Sequence, residues 1–180
     1  PPIGSDAGND CTSPITPCAT IQHAIDLAVP GDDIRIAGST YTSTAGTVAV
    51  ITKSLVLEGG YPSDFSDHDP GLFQTVLDAQ WGGSVISVTN AGGVALEFLT
   101  LTQGDGAGNC GIYRGCGGGI YATDTSLHVG NCVITGNMGS TAGSGFSDGS
   151  GGGIYVNNWF SPAPVQIVES RIVNNAASIA

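Results

Sequence analysis

VALEFLTLTQG (94–104), LHVGNCVITGN (127–137) and VQIVESRIVNN (165–175) carry one pattern three times. Apolar residues fall at the first and third positions, the phase breaks, and alternation resumes at the sixth and eighth. The first copy supplies Val94, Leu96, Leu99 and Leu101, the second Leu127, Val129, Cys132 and Ile134, and the third Val165, Ile167, Ser170 and Ile172. Period-two alternation marks a strand with one face buried, and a phase break marks a bend. Each copy therefore reads as two short strands around a corner. The copies begin 33 and 38 residues apart, and a fourth is read 44 residues upstream in VITKSLVLEGG (50–60), as Val50, Thr52, Leu55 and Leu57. Only Thr52 and Ser170 break the apolar rule. A core position that recurs once per coil means the chain returns to the same corner and stacks like on like. Each Val, Leu or Ile buried in such a column contributes roughly 1.5–3 kcal/mol. Hairpins would join like strands by two-residue turns, and a β-sandwich does not require this in-register recurrence. The expectation is an all-β parallel solenoid.

Outward from these segments, GGGIY occurs at 117–121 and again at 151–155. Loops such as GNMGSTAGSGFSDGSG and NNWFSPAP absorb the variable spacing. Asn137 and Asn175 close equivalent strands, where Asn tolerates a left-handed turn and can bond neighbouring backbone. Cys132 stands where Leu99 stands one coil earlier, so it reads as a buried, inert thiol. The one helical period is TIQHAIDLA from Thr20, with Ile21, Ala24, Ile25 and Ala28 on one face and Pro30-Gly31 ending it.

The 180 residues include 29 Gly, and 41% are hydrophobic against 11% charged. Clustered rather than periodic Gly excludes collagen, and the apolar content argues against disorder. The net charge is −11, with Arg35, Lys53, Arg114 and Arg171 the only Lys or Arg residues. Nucleic acid would require rows of cations, so no nucleic-acid partner is expected. Anionic membrane surfaces are disfavoured in the same way. No apolar run approaches the ~20 residues of a membrane helix, so membrane insertion is not expected. The opening PPIGSDAGND reads as a mature or trimmed N-terminus, which leaves export to be argued from the cysteines.

Cys11 and Cys18 bracket TSPITP, and Cys110 and Cys116 bracket GIYRG. Two short-range pairs in Gly/Pro-rich loops look like the staples of a secreted or cell-surface protein. Each closure is worth roughly 2–3 kcal/mol by the chain-entropy argument. Zinc would want closer Cys spacing or partnered His, and His23, His68 and His128 are scattered.

The chain resembles bacterial secreted proteins built from right-handed β-helix repeats, an architecture shared with pectate lyases and polymorphic outer-membrane protein repeats. CATIQHAIDLAVPGDDIRIAGSTYT is similar to that family's opening segment, a cap helix leading to a G-D-x-I-x-I strand. ITKSLVLEGGYPSDFSDHDPGLFQTVLDA is similar to its following coil, and GGGIY with NCVITGN to its generic repeat. The resemblance implies a right-handed parallel β-helix with an N-terminal capping α-helix. One domain over 1–180 is expected: a disulfide-stapled lead-in loop (1–19), the cap helix (20–29) and coils (32–180), continuing or capped beyond 180. It says little of function, because this architecture hosts lyases, hydrolases, adhesins and spikes. Lyase- and polygalacturonase-like sites need acidic clusters joined to a basic residue on one face. Arg35 and Lys53 fall in the first coils, Arg114 in a stapled loop and Arg171 beside Thr100 and Val133, with no such cluster read.

The expected role is therefore non-catalytic, structural or adhesive, with no cofactor. Carbohydrate binding or cleavage is the alternative. Asp64, Asp67 and Asp69 form one acidic loop and Asp105 with Asn109 another, the candidates for Ca²⁺. Tyr121, Tyr155 and Trp159, with Phe160 beside them, are the candidates for stacking on sugars. Thr100 and Thr102 make a T-x-T with Thr135 stacked beside it, but Arg171/Val173 and Val56/Glu58 are read as interrupting any regular ice-binding array. NNAASIA follows the fourth strand pair without a cap, so the chain is expected to continue into further coils, the alternative being a homo-oligomer partner or another surface protein at that end.

Overall fold

The phase break of each repeat is one residue in the left-handed region: Phe98 (φ 55°), Asn131 (φ 52°) and Glu169 (φ 49°). The second corner repeats the device at Gln103, Gly136 and Asn174, and a third at Asn90 and Asp124. A single positive φ breaks the alternation and redirects the strand, so these residues cut the coil into faces.

The computed structural model describes residues 4–106, 117–139, 151–160 and 162–177. They form a parallel β-solenoid of about three turns with one short helix. In order the elements are α1 (Ile21–Leu27), β1 (Asp33–Ala37), β2 (Thr40–Thr42), β3 (Ala49–Ile51), β4 (Leu55–Tyr61), β5 (Thr75–Asp78) and β6 (Ile86–Glu97). Then come β7 (Leu99–Thr102), β8 (Ile120–Gly130), β9 (Val133–Thr135), β10 (Ile154–Asn157), β11 (Val165–Val168) and β12 (Arg171–Val173). One sheet runs β1-β4-β6-β8-β10, with β3 also on β6 and β11 also on β8. The other runs β2-β5-β7-β9-β12.

The predicted columns stand in register. Val94 pairs Leu127 and Leu127 pairs Val165; Leu96, Val129 and Ile167 follow. On the second sheet Leu101 pairs Ile134 and Ile134 pairs Ile172. Leu96, Leu101, Val129 and Ile134 are fully buried. GGGIY also repeats in space, with Ile120 opposite Ile154 and Tyr121 opposite Tyr155.

The upstream copy is a correction. Val94 and Leu96 pair Leu55 and Leu57, not Val50 and Thr52. Leu99 and Leu101 pair Thr75 and Leu77. The segment 62–74 intervenes at the corner between β4 and β5, so one repeat is split, and the ungapped match at 44 residues is coincidental. Val50 instead pairs Ser87 and is half-exposed. The T-x-T strip accordingly borders Val76 and Asp78, not Val56 and Glu58.

Polar residues in the column are satisfied by backbone. Thr75 Oγ1 accepts from Gly60 N (3.0 Å), and Ser170 Oγ accepts from Cys132 N (3.0 Å) and donates to Val168 O (2.9 Å). Asn137 Oδ1 accepts from Gly104 N (2.8 Å), and Asn175 Oδ1 accepts from Asn137 N (3.0 Å) and Asn137 Nδ2 (3.0 Å). The two asparagines thus form a ladder along one corner.

Helix α1 is shorter than its sequence pattern because Thr20 is its N-cap, Oγ1 accepting from His23 N at 3.2 Å. Ile21 and Ile25 are buried in the common core. At the other end Lys53 Nζ donates to the carbonyls of Ile25, Asp26 and Ala28 at 2.9, 3.2 and 2.7 Å. A cation suits the negative end of a helix, which gives Lys53 a structural task.

Candidate functional site

LVLE (55–58) and VALE (94–97) share one phase, and the solenoid puts their last residues side by side. Arg35 of β1 pairs Glu58 of β4, Glu58 pairs Glu97 of β6, and Glu97 pairs Gly130 of β8. Leu57 and Leu96, the residues before the two glutamates, are buried while Glu58 and Glu97 are half-buried, so the carboxylates of this column point outward.

The segment after β4 folds back over the column. His68 Nε2 lies 2.9 Å from Gly59 O and 3.9 Å from Glu58 Oε1, its ring 4.6 Å from Tyr61 and edge-on to Phe98 at 4.9 Å. Tyr61 donates its hydroxyl to Glu58 Oε2. Burial, and then that acceptor, push the Tyr61 hydroxyl up to about 12. The Arg35 guanidinium sits 5.5 Å from the centre of the Tyr61 ring. On the neighbouring strand, Glu97 Oε1 is 2.9 Å from His128 Nε2, and Glu97 Oε2 accepts from Asn131 Nδ2 at 3.4 Å. The Glu97 carboxylate lies over Gly130, where a Cβ would collide with it.

Two carboxylates, two imidazoles, a phenol and a guanidinium therefore share one face, a cluster the sequence reading placed nowhere. The signal was the repeated V/L-x-L-E phrase, hidden by the register slip at Val50. Chemically the face offers acceptors and donors for hydroxyl-rich ligands. Its carboxylates already bond Tyr61, His128 and Asn131, and its cation rests on an aromatic ring.

The other candidates are dispersed. Asp64 Oδ1 accepts from Ser66 N and Oγ at 3.1 and 2.7 Å, and these bonds, the hydroxyl's first, hold its carboxyl below the usual value. Asp69 Oδ1 accepts from Gly71 N and Leu72 N, both at 3.1 Å, and Asp67 Oδ1 accepts from His68 N at 2.8 Å. These three carboxylates close their own turns and do not converge. Asp105 makes a bridge to Met138, while Asn109 and Arg114 lie outside the described residues. Arg171 is exposed opposite Val133.

Cys11 and Cys18 form a disulfide. The expected Cys110–Cys116 pair lies outside the described residues. Among the described residues the one group of metal-ligand types is His23 with this first pair, whose sulfurs are already bonded to each other. Cys132 is unpaired and buried, its Sγ 3.4 Å from Leu96 O, and burial pushes the thiol up to about 12.

Tyr121 and Tyr155 stack with ring centres 5.8 Å apart and planes 8° from parallel. Tyr121 is only 9% exposed, which corrects the expectation of an open aromatic row. Its neighbour in register takes the ring face that a sugar would need. Trp159 and Phe160 are 81% and 80% exposed and remain available.

Among the described residues no helix is long and apolar enough to cross a membrane. Comparison with protein-family models, with curated proteins and with solved structures returns no match. The fold defines the class: a parallel β-solenoid.

Proposed function

We propose that this chain is a non-catalytic, exported solenoid, coiled right-handed and capped at its N-terminal end by α1, with a structural or adhesive role at a cell surface. The carrying observation is how the polar groups are used. Lys53 bonds helix carbonyls, Arg35 covers Tyr61, Glu58 accepts from Tyr61, and Glu97 is held by His128 and Asn131. A general acid or base must reach the proton it moves on a substrate, and the bonds these groups already make inside the fold favour a structural use of them. The strongest upward pKa shifts fall on Tyr41, Tyr61 and Cys132, with burial as the leading cause of each.

Right-handedness is favoured because crossovers between parallel strands take that hand where chirality applies. Export is supported by the Cys11–Cys18 bridge, since such bonds persist in oxidising compartments. The last described coil leaves part of its apolar column exposed, and either further coils or another chain would cover it. Val165, Ile167 and Ile172 are 40%, 47% and 43% exposed, whereas their column partners Leu127, Val129 and Ile134 are at most 1% exposed.

The test is turnover of pectins and other acidic polysaccharides by the whole chain, with and without Ca²⁺. No turnover is expected. Cleavage that Glu58→Gln or Glu97→Gln abolishes would overturn the reading in favour of a polysaccharide-cleaving enzyme. The carbohydrate-binding alternative draws on the same face and on exposed Trp159, and saturable sugar binding lost in Glu97→Gln would favour it.

A further inference from the structure

Two strands of the first coil, β1 and β3, end their sheet, and the structure treats their outer edges differently. The edge of β3 is closed by a side chain of α1: Gln22 Oε1 accepts from Val50 N at 2.8 Å and Gln22 Nε2 donates to Val50 O at 3.3 Å. An amide so placed does the work of a neighbouring strand. Among the described residues the edge of β1 has no such cover. Asp32 O accepts from Val56 N at 3.0 Å, which turns Asp32 and Ile34 towards β4. Alternate residues of a parallel strand face opposite ways, so Asp33 and Arg35 present their backbone N–H and C=O groups to the open side. Among the described residues nothing bonds them there.

That open side is a groove of about 1020 Å³ between β1, α1, the lead-in loop and the start of the segment after β4. Its lining includes exposed apolar groups, Leu27 at 48% and Ile15 at 89% exposure. Its rim carries Asp10, Asp32, Asp33 and Asp64. The one cation in its lining, Arg35, is directed over the Tyr61 ring.

We propose that this groove docks an extended, basic segment of another protein, which pairs with β1 as an added strand. Backbone groups at Asp33 and Arg35 supply the hydrogen bonds, and alternate side chains of the guest fall into the apolar wall or against the carboxylates. Charge complementarity chooses the partner, since the rim is acidic and the whole chain carries −11. The five residues of β1 fix the docked length at about five residues, roughly 17 Å. The inference goes beyond the scaffold reading and is tested apart from it, because the probe reports strand pairing only.

The probe is a seven-residue peptide of alternating lysine and valine, acetylated, amidated and fluorescently labelled. Anisotropy should show saturable one-to-one binding that weakens about tenfold as salt rises from dilute to several times physiological strength. Hydrogen exchange should slow at the Asp33 and Arg35 amides. The same peptide N-methylated on alternate backbone nitrogens keeps its charge and should bind at least about tenfold more weakly, because the ladder needs those N–H groups. Asp33→Pro removes one open-side donor while leaving the β1–β4 ladder, and it should lose binding with its urea midpoint retained. Equal binding by the N-methylated peptide, absence of saturation, or protection at β11 and β12 instead would overturn the proposal. Dimerisation of the free chain that protects the Asp33 and Arg35 amides would also overturn it, in favour of a second copy as the occupant.

Discussion

Replacing Asn137 by alanine should be among the most damaging single changes in this solenoid. The side chain is 2% exposed and makes three bonds: Oδ1 accepts from Gly104 N, and Nδ2 donates to Leu101 O and to Asn175 Oδ1. Asn137→Ala leaves the Gly104 N–H without its partner in a buried corner and takes one of two bonds from the Leu101 carbonyl, which faces β9 in the ladder. Asn175 Oδ1 keeps the bond from Asn137 N at 3.0 Å, so it is not orphaned. A buried group left unpaired costs about 1–3 kcal/mol, so about 1–3 kcal/mol is expected for the Gly104 N–H, with the weakened Leu101 carbonyl adding to it. A domain of this kind has only about 5–15 kcal/mol in total. Asn175→Ala deletes an equivalent rung on the last described coil, where the residue is part-exposed and water can replace the bonds, so about 1 kcal/mol is expected. Urea unfolding of both single variants and the double variant measures the difference and the coupling. Coils can also open singly, so hydrogen exchange at Gly104 N is the local readout. A cost below about 1 kcal/mol for Asn137→Ala, or one equal to that of Asn175→Ala, would refute the ladder as a source of stability.

Lys53→Met keeps the aliphatic stem but strips three carbonyls at the end of α1, and about 1–2 kcal/mol should be lost, read as a lower urea midpoint. Polysaccharide assays should be unaffected by it. Burial raises Cys132 from 9.0 and Tyr41 from 10.0, each to about 12, so the unfolded chain releases these protons first. Their contribution is intact below about pH 9 and should be lost progressively as pH rises towards 12, which denaturation at stepped alkaline pH measures. The same burial should keep Cys132 unreactive to a thiol reagent at pH 8 until denaturant is added. Removing the Cys11–Cys18 bridge by a double serine substitution should cost about 2–3 kcal/mol, seen as a lower thermal midpoint with the coils retained.

What could be read from the sequence, and what could not, divides along a physical line. The columns were legible because burial repeats a simple requirement: Leu96 and Val129 each answer an apolar neighbour above and below. The asparagine ladder was legible because Asn137 and Asn175 end equivalent strands, where a left-handed corner and an unpaired amide recur together. Register failed where a corner carries an insertion. VITKSLVLEGG aligns by apolar content in two ways, and hydrophobicity scores both alike. The choice falls to Leu55 and Thr75, which the folded chain joins as one repeat across the segment 62–74. Thr75 is polar, so an apolar rule passes over it, yet its hydroxyl serves Gly60 N from inside the column. The polar face was lost with that register, since Glu58 reaches Glu97 only when Leu57 is set opposite Leu96. The groove had no sequence signal at all. Its open wall consists of backbone groups at Asp33 and Arg35, and whether such groups are free depends on where Gln22 reaches, 28 residues from Val50 along the chain. In a solenoid the core is written in side-chain type, while the surfaces that meet other molecules are written in register and in which edges remain uncovered.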